Sequence, residues 1–101
     1  YFTVMNKDAA QAYRSGWCQD YPDADNFDNV VFHSGSSQNG TKYNSPAFDK
    51  LVDEARGLTD DAERVKLYAQ AEDLLVKQDA AIAPIYWYTT NQITIFVSVL
   101  L

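Results

Sequence analysis

The chain is organised around Gly16-Trp17-Cys18-Gln19-Asp20-Tyr21-Pro22. Upstream of it, residues 11–17 alternate in the manner of a strand. Tyr13, Ser15 and Trp17 fall on one side, and Ala12, Arg14 and Gly16 on the other. Taken as a strand, the segment runs into an acidic loop, and the chain mixes strands with helices. Trp17 is a large anchor whose ring N–H needs an acceptor. Gly16 either lets another backbone approach closely or marks a bulge. Asp20 sits where the strand ends, and two readings of it stand. It is a solvated carboxylate beside a core tryptophan, or it meets a cationic ligand group while the Gly16 and Cys18 backbones pair with an extended ligand.

Tyr21-Pro22-Asp23 is a turn, because proline pushes its predecessor out of the α region. Asp25 is positioned to cap a short helix that carries Phe27, Val30 and Val31 inward. Residues 33–41, HSGSSQNGT, are polar and read as a surface loop. Asn39-Gly40-Thr41 matches a glycosylation sequon, which a bacterial source would make irrelevant. Ser45-Pro46 opens a helix: serine caps it, and proline in the first turn sacrifices no needed N–H. Phe48, Leu51, Val52 and Ala55 then share one apolar face. Gly57 is placed to close this helix in a left-handed cap. A second helix opens at Thr59, with Asp60, Asp61 and Glu63 favouring the positive end of its dipole. Leu67, Tyr68, Ala71, Leu74 and Leu75 line one side of it. After Pro84 there is too little room for a helix, so residues 80–88 read as a buried strand. In that strand Tyr86 and Tyr88 share a face and Trp87 takes the other. Residues 93–101, ITIFVSVLL, form another β-prone run, and residues 1–5 are either a strand or the end of a helix.

A chain of 101 residues holds one domain at most. Its 47% hydrophobic and 14% aromatic content suffices for a core and argues against disorder. The net charge of −6 offers no basic patch for nucleic acid or anionic lipid. No apolar run approaches the ~18 residues of a membrane span. Cys18 is the single cysteine, so no internal disulfide is available. Catalysis has little support: a pair of Cys18 and His33 would need an orienting group and an oxyanion site, no motif places them together, and no G-x-S-x-G occurs. Asp23, Asp25 and Asp28 resemble a calcium loop only superficially. Phe27 and Asp28 stand where an EF-hand needs an oxygen ligand and glycine, and the closing glutamate is missing. A solvated acidic turn with a helix cap accounts for them better. No metal or cofactor is expected.

Four blocks in order carry a resemblance: residues 14–27 (RSGWCQDYPDADNF), 43–49 (YNSPAFD), 64–72 (RVKLYAQAE) and 79–88 (DAAIAPIYWY). Together they resemble the C-terminal part of the oligopeptide- and dipeptide-binding proteins, the solute receptors of bacterial ABC importers. These receptors are several times longer, so the resemblance implies a single partial domain over residues 1–101, with a tail of uncertain status at 92–101. The implied architecture is α+β, a fragment of a periplasmic-binding-protein type II lobe with helices packed on a few strands. The implied function is peptide binding for uptake, with a membrane permease as partner and a periplasmic or membrane-anchored extracellular setting. In this family two lobes close over a peptide whose main chain pairs with receptor strands. By resemblance, Asp20 forms a salt bridge with the peptide α-ammonium, and Gly16 and Cys18 lie on the pairing segment beside Trp17. Arg14 matches a position that helps hold the peptide carboxylate in some members, and Tyr88 reaches the cleft. The isolated chain is expected to bind peptide weakly and to self-associate, since half a cleft makes few of the contacts. The competing reading is a small acidic protein-interaction module with no transport role.

Overall fold

The computed structural model describes residues 11–87 and Thr89. Its centre is a pair of helices, α2 (Pro46–Gly57) and α3 (Asp61–Glu72). Preceding them is a short α1 (Asp25–Phe27) that widens into a π-helical segment (Asp28–Phe32). α3 likewise continues into a π-helical segment (Asp73–Gln78).

Local chemistry explains the helix starts. The Ser45 side chain accepts from the Phe48 N–H, and Pro46 occupies the first turn of α2. At α3 the cap is Asp60 rather than Thr59, its carboxylate accepting from the Glu63 N–H at 2.9 Å. The ends depart from expectation. Gly57 is the last residue of α2 and is not left-handed; the chain simply extends at Leu58, with φ −87° and ψ 149°. The left-handed turn comes instead at Ala80, with φ 48°. There the Ala81 N–H returns to the Leu75 carbonyl at 2.9 Å, closing the π-helical segment.

The core follows from the apolar faces. Phe48, Val52 and Ala55 of α2 are buried against Tyr68, Ala71 and Leu75. Ala55 and Ala71 add only a methyl group each, which lets the two helices approach closely. Tyr43 packs its ring edge-on against Phe48, with centroids 5.3 Å apart. Leu51, Leu67, Leu74, Ala81 and Ile82 close the margins, half-buried. The shared faces expected of both helices are therefore present.

The strands are not. Among the described residues no strand or sheet forms, which overturns the α+β expectation and the picture of helices packed on strands. A strand needs a backbone neighbour ~4.8 Å away to take up its N–H and C=O groups. Residues 11–17 and 80–87 do not supply one another with that ladder; Arg14 Nη2 donates to the Tyr86 hydroxyl at 2.7 Å, a side-chain link instead. Nor is the second segment buried: Ile85 is 77% and Trp87 81% exposed. Tyr88 and the runs 1–5 and 93–101 lie outside the described residues.

α1 also inverts its expected pattern. Phe27, Val30 and Val31 are only half-buried, whereas Asp25, Asn26, Asp28 and Asn29 are buried. Burying polar groups is tolerable only when they find partners. Those partners define the candidate site.

Candidate functional site

The site is a polar knot where the acidic loop, 17–25, meets α1 and the helix pair. Asn26 is its centre, only 1% exposed. Its Oδ1 accepts from the Trp17 ring N–H at 2.9 Å and from the Asp20 backbone N–H at 2.9 Å. Its Nδ2 donates to Asp20 Oδ2 at 3.3 Å. Two N–H donors on one side and a carboxylate on the other fix which way the amide points, since only the oxygen accepts and only the nitrogen donates. One amide thus holds a ring, a backbone and a carboxylate.

The rest of the loop is tied to the helices. Asp23 Oδ1 accepts from the Asp25 N–H at 2.9 Å, so Asp23 and not Asp25 supplies the side-chain acceptor at the start of α1. The Asp23 carboxylate also receives Arg64 Nη2 at 2.8 and 3.0 Å. That guanidinium, helped by the Asp25 N–H, holds the Asp23 carboxyl below its ordinary value. Arg64 Nε donates to the Ala55 carbonyl at 3.3 Å, so one arginine joins the loop to both helices. Asp25 Oδ1 accepts from Asn29 Nδ2 at 2.9 Å and meets Arg56 Nε at 3.4 Å. Its other oxygen accepts from the Tyr21 hydroxyl, which raises the Tyr21 pKa. Asn29 Nδ2 bonds as well to the Val52 carbonyl at 3.1 Å, anchoring the π-helical segment that continues α1 onto α2.

Asp28 is the exception in this knot. It is 2% exposed and its Oδ2 has no hydrogen-bond partner among the described residues. Burial, reinforced by the nearby Glu72 and Asp25 carboxylates, pushes its pKa up to about 7. The acidic turn is therefore only partly solvated: Asp25 and Asp28 are interior groups. Among the described residues no cluster of His, Cys, Asp and Glu is arranged to hold a metal ion.

The expected site residues divide as follows. Trp17 and Asp20 come together through Asn26. Asp20 itself is exposed, and among the described residues no further hydrogen bond occupies its carboxylate. Gly16 and Cys18 are exposed beside it, and no backbone hydrogen bond among the described residues occupies their main chain. Arg14 lies apart from the knot, joined to Tyr86 at 2.7 Å. Trp87, next to Tyr86, meets Phe27 edge-on at 6.1 Å, which brings the 85–87 segment over α1. His33 is engaged elsewhere: its Nδ1 accepts from the Gly35 N–H at 2.9 Å and its Nε2 lies 3.2 Å from Asp53. Sequence reasoning missed Asn26, Asn29 and Arg64. For Asn26 a signal existed: it follows Asp20 by six residues and carries both a donor and an acceptor, as closing a loop on itself requires.

Comparison with known proteins gives the following. The chain is 45% identical over 80 residues to the periplasmic oligopeptide-binding protein OppA of Salmonella typhimurium, covering 79% of this chain and 14% of that protein. It is 30% identical over 89 residues to the oligopeptide-binding protein OppA of Bacillus subtilis, 88% of this chain and 16% of the relative. The dipeptide-binding protein DppE of Bacillus subtilis is 35% identical over 83 residues, 82% and 14%. No family model matches the chain. The chain thus spans only a small part of the length of the curated relatives it matches.

Proposed function

We propose that this chain, which belongs to the family of bacterial oligopeptide- and dipeptide-binding proteins, supplies one wall of a peptide cleft. The protein that contains it binds short peptides and hands them to a membrane permease for uptake, in the periplasm or at the outer face of the cell. No catalytic step is involved.

The observation that carries this reading is the Asn26-clamped loop. It holds Asp20 in place; Asp20, Gly16 and Cys18 are exposed, and no backbone hydrogen bond among the described residues engages the main chain of Gly16 or Cys18. A fixed carboxylate beside backbone that no described residue pairs suits a peptide amino terminus, whose ammonium takes the charge while its first amides pair with the chain. Main-chain pairing is indifferent to side chains, as a nutrient receptor requires. Arg14, with its guanidinium at Tyr86, is assigned to ligands whose carboxylate reaches that end. Tyr88, outside the described residues, is assigned a ligand contact by resemblance alone.

The test is calorimetric titration of the full-length protein in which this chain occurs, using tri- to pentapeptides. Binding is expected, and Asp20→Ala weakens it by about 2–5 kcal/mol, the cost of leaving a buried partner charge unpaired. Equal affinity in the two proteins refutes the role of Asp20.

A further inference from the structure

We infer that Asn26 is the positioning residue that makes this site selective for a free amino terminus. The inference rests on the peptide reading of Asp20 given above.

Asp20 stands on an exposed loop with no regular backbone pairing among the described residues, so its own segment does not fix the direction of its carboxylate. Asn26 does, from a buried position on α1. It holds the Asp20 backbone N–H at 2.9 Å, which sets the residue's location, and Asp20 Oδ2 at 3.3 Å, which sets the side-chain torsion. The bond from the Trp17 ring at 2.9 Å ties both to the tryptophan that precedes them. With Oδ2 held, Oδ1 is the oxygen presented to a ligand. An ammonium reads that difference, because its attraction depends on distance and on hydrogen-bond direction. An acetylated amino terminus has no charge, gains little from the orientation and leaves the carboxylate unpaired. Asn26 is itself anchored: it lies between Asp25 and Asp28 on a turn held to α2 through Asn29 and the Val52 carbonyl, 3.1 Å. Its own exposure of 1% means that it acts through Asp20 and does not meet the ligand.

The experiment compares trialanine with N-acetyl-trialanine as probes for the full-length protein, by calorimetry. The unaltered protein prefers trialanine, and the ratio of the two affinities is the readout. Asn26→Leu removes all three hydrogen bonds at similar volume, and is expected to shrink that ratio roughly tenfold, the equivalent of about one charge-assisted hydrogen bond. Asn26→Ser keeps a small hydroxyl that accepts from one N–H, and its ratio falls between the two. A thermal melt establishes that each variant is folded, and Asn26→Ser serves if Asn26→Leu is not. A purely structural role would weaken both probes alike and leave the ratio unchanged, which overturns the inference. Asp20→Ala is run beside them. If it leaves the ratio intact, the peptide reading of Asp20 itself fails. If it erases the ratio while the folded Asn26 variants retain it, only the positioning role of Asn26 fails.

Discussion

Replacing Asp28 with asparagine should stabilise the protein, and do so only where the carboxyl would be ionised. The residue is 2% exposed, its Oδ2 has no hydrogen-bond partner among the described residues, and Glu72 and Asp25 both repel its charge. Its pKa rises from an ordinary 3.8 to about 7. A carboxyl whose folded-state pKa lies above its unfolded value binds more protons folded than unfolded between the two. Stability contributed by this group is therefore whole near pH 4 and is lost as pH rises toward 7. At ~1.36 kcal/mol for each pH unit in that window, the loss above pH 7 is about 4 kcal/mol. That is a large share of a small domain's total of ~5–15 kcal/mol. The amide of the substituted side chain keeps the shape of the carboxyl without its charge. Urea unfolding of the original and of Asp28→Asn, followed by circular dichroism at pH 4, 5, 6, 7 and 8, reads the difference. The two curves should nearly coincide at pH 4 and separate progressively, the variant the more stable. Curves that run parallel from pH 4 to pH 8 would refute the argument, because the Asp28 charge would then be absent or already neutralised by a partner.

Two further perturbations probe the rest of the scaffold. Ala80→Gly removes a methyl group from a left-handed residue with φ 48° and should raise stability by about 0.5–1 kcal/mol in the same assay; no gain would mean that the turn is not held in that conformation. Asp23→Ala removes the acceptor of Arg64 and of the Asp25 N–H. Its carboxyl is held below its ordinary value, so its contribution is present above about pH 4 and fades as pH falls through the lowered pKa. The urea midpoint should therefore drop at pH 7, with the gap narrowing on acidification to pH 2; a gap independent of pH would rule out the ion pair as the cause.

Ser45-Pro46, the acidic turn at 60–63 and the spacing of Phe48, Val52, Ala55, Tyr68, Ala71 and Leu75 were enough to place both long helices and most of the core. So were four short blocks enough to identify the relatives. A helix closes its hydrogen bonds on itself, four residues back, and its cap lies within one turn, so its evidence is local in the chain. Trp17 and Asp20 were legible as a pair for the same reason of nearness. Residues 11–17 and 80–87 carried equally good β-prone patterns and did not become strands here. Their pattern says which faces would pair, but pairing needs a second backbone, and that is a property of the assembled fold. The polar face of α1 was beyond sequence reasoning for a related cause. Asn26, Asp25 and Asn29 look like surface residues until Trp17, Tyr21, Arg56 and the Val52 carbonyl arrive to satisfy them. The sequence alone determined the helices and the kinship, because both are written in contiguous residues. Which carboxylates are buried, which stay exposed and which groups they bond came only with the assembled fold, because desolvation and hydrogen-bond partners come from residues distant in the chain.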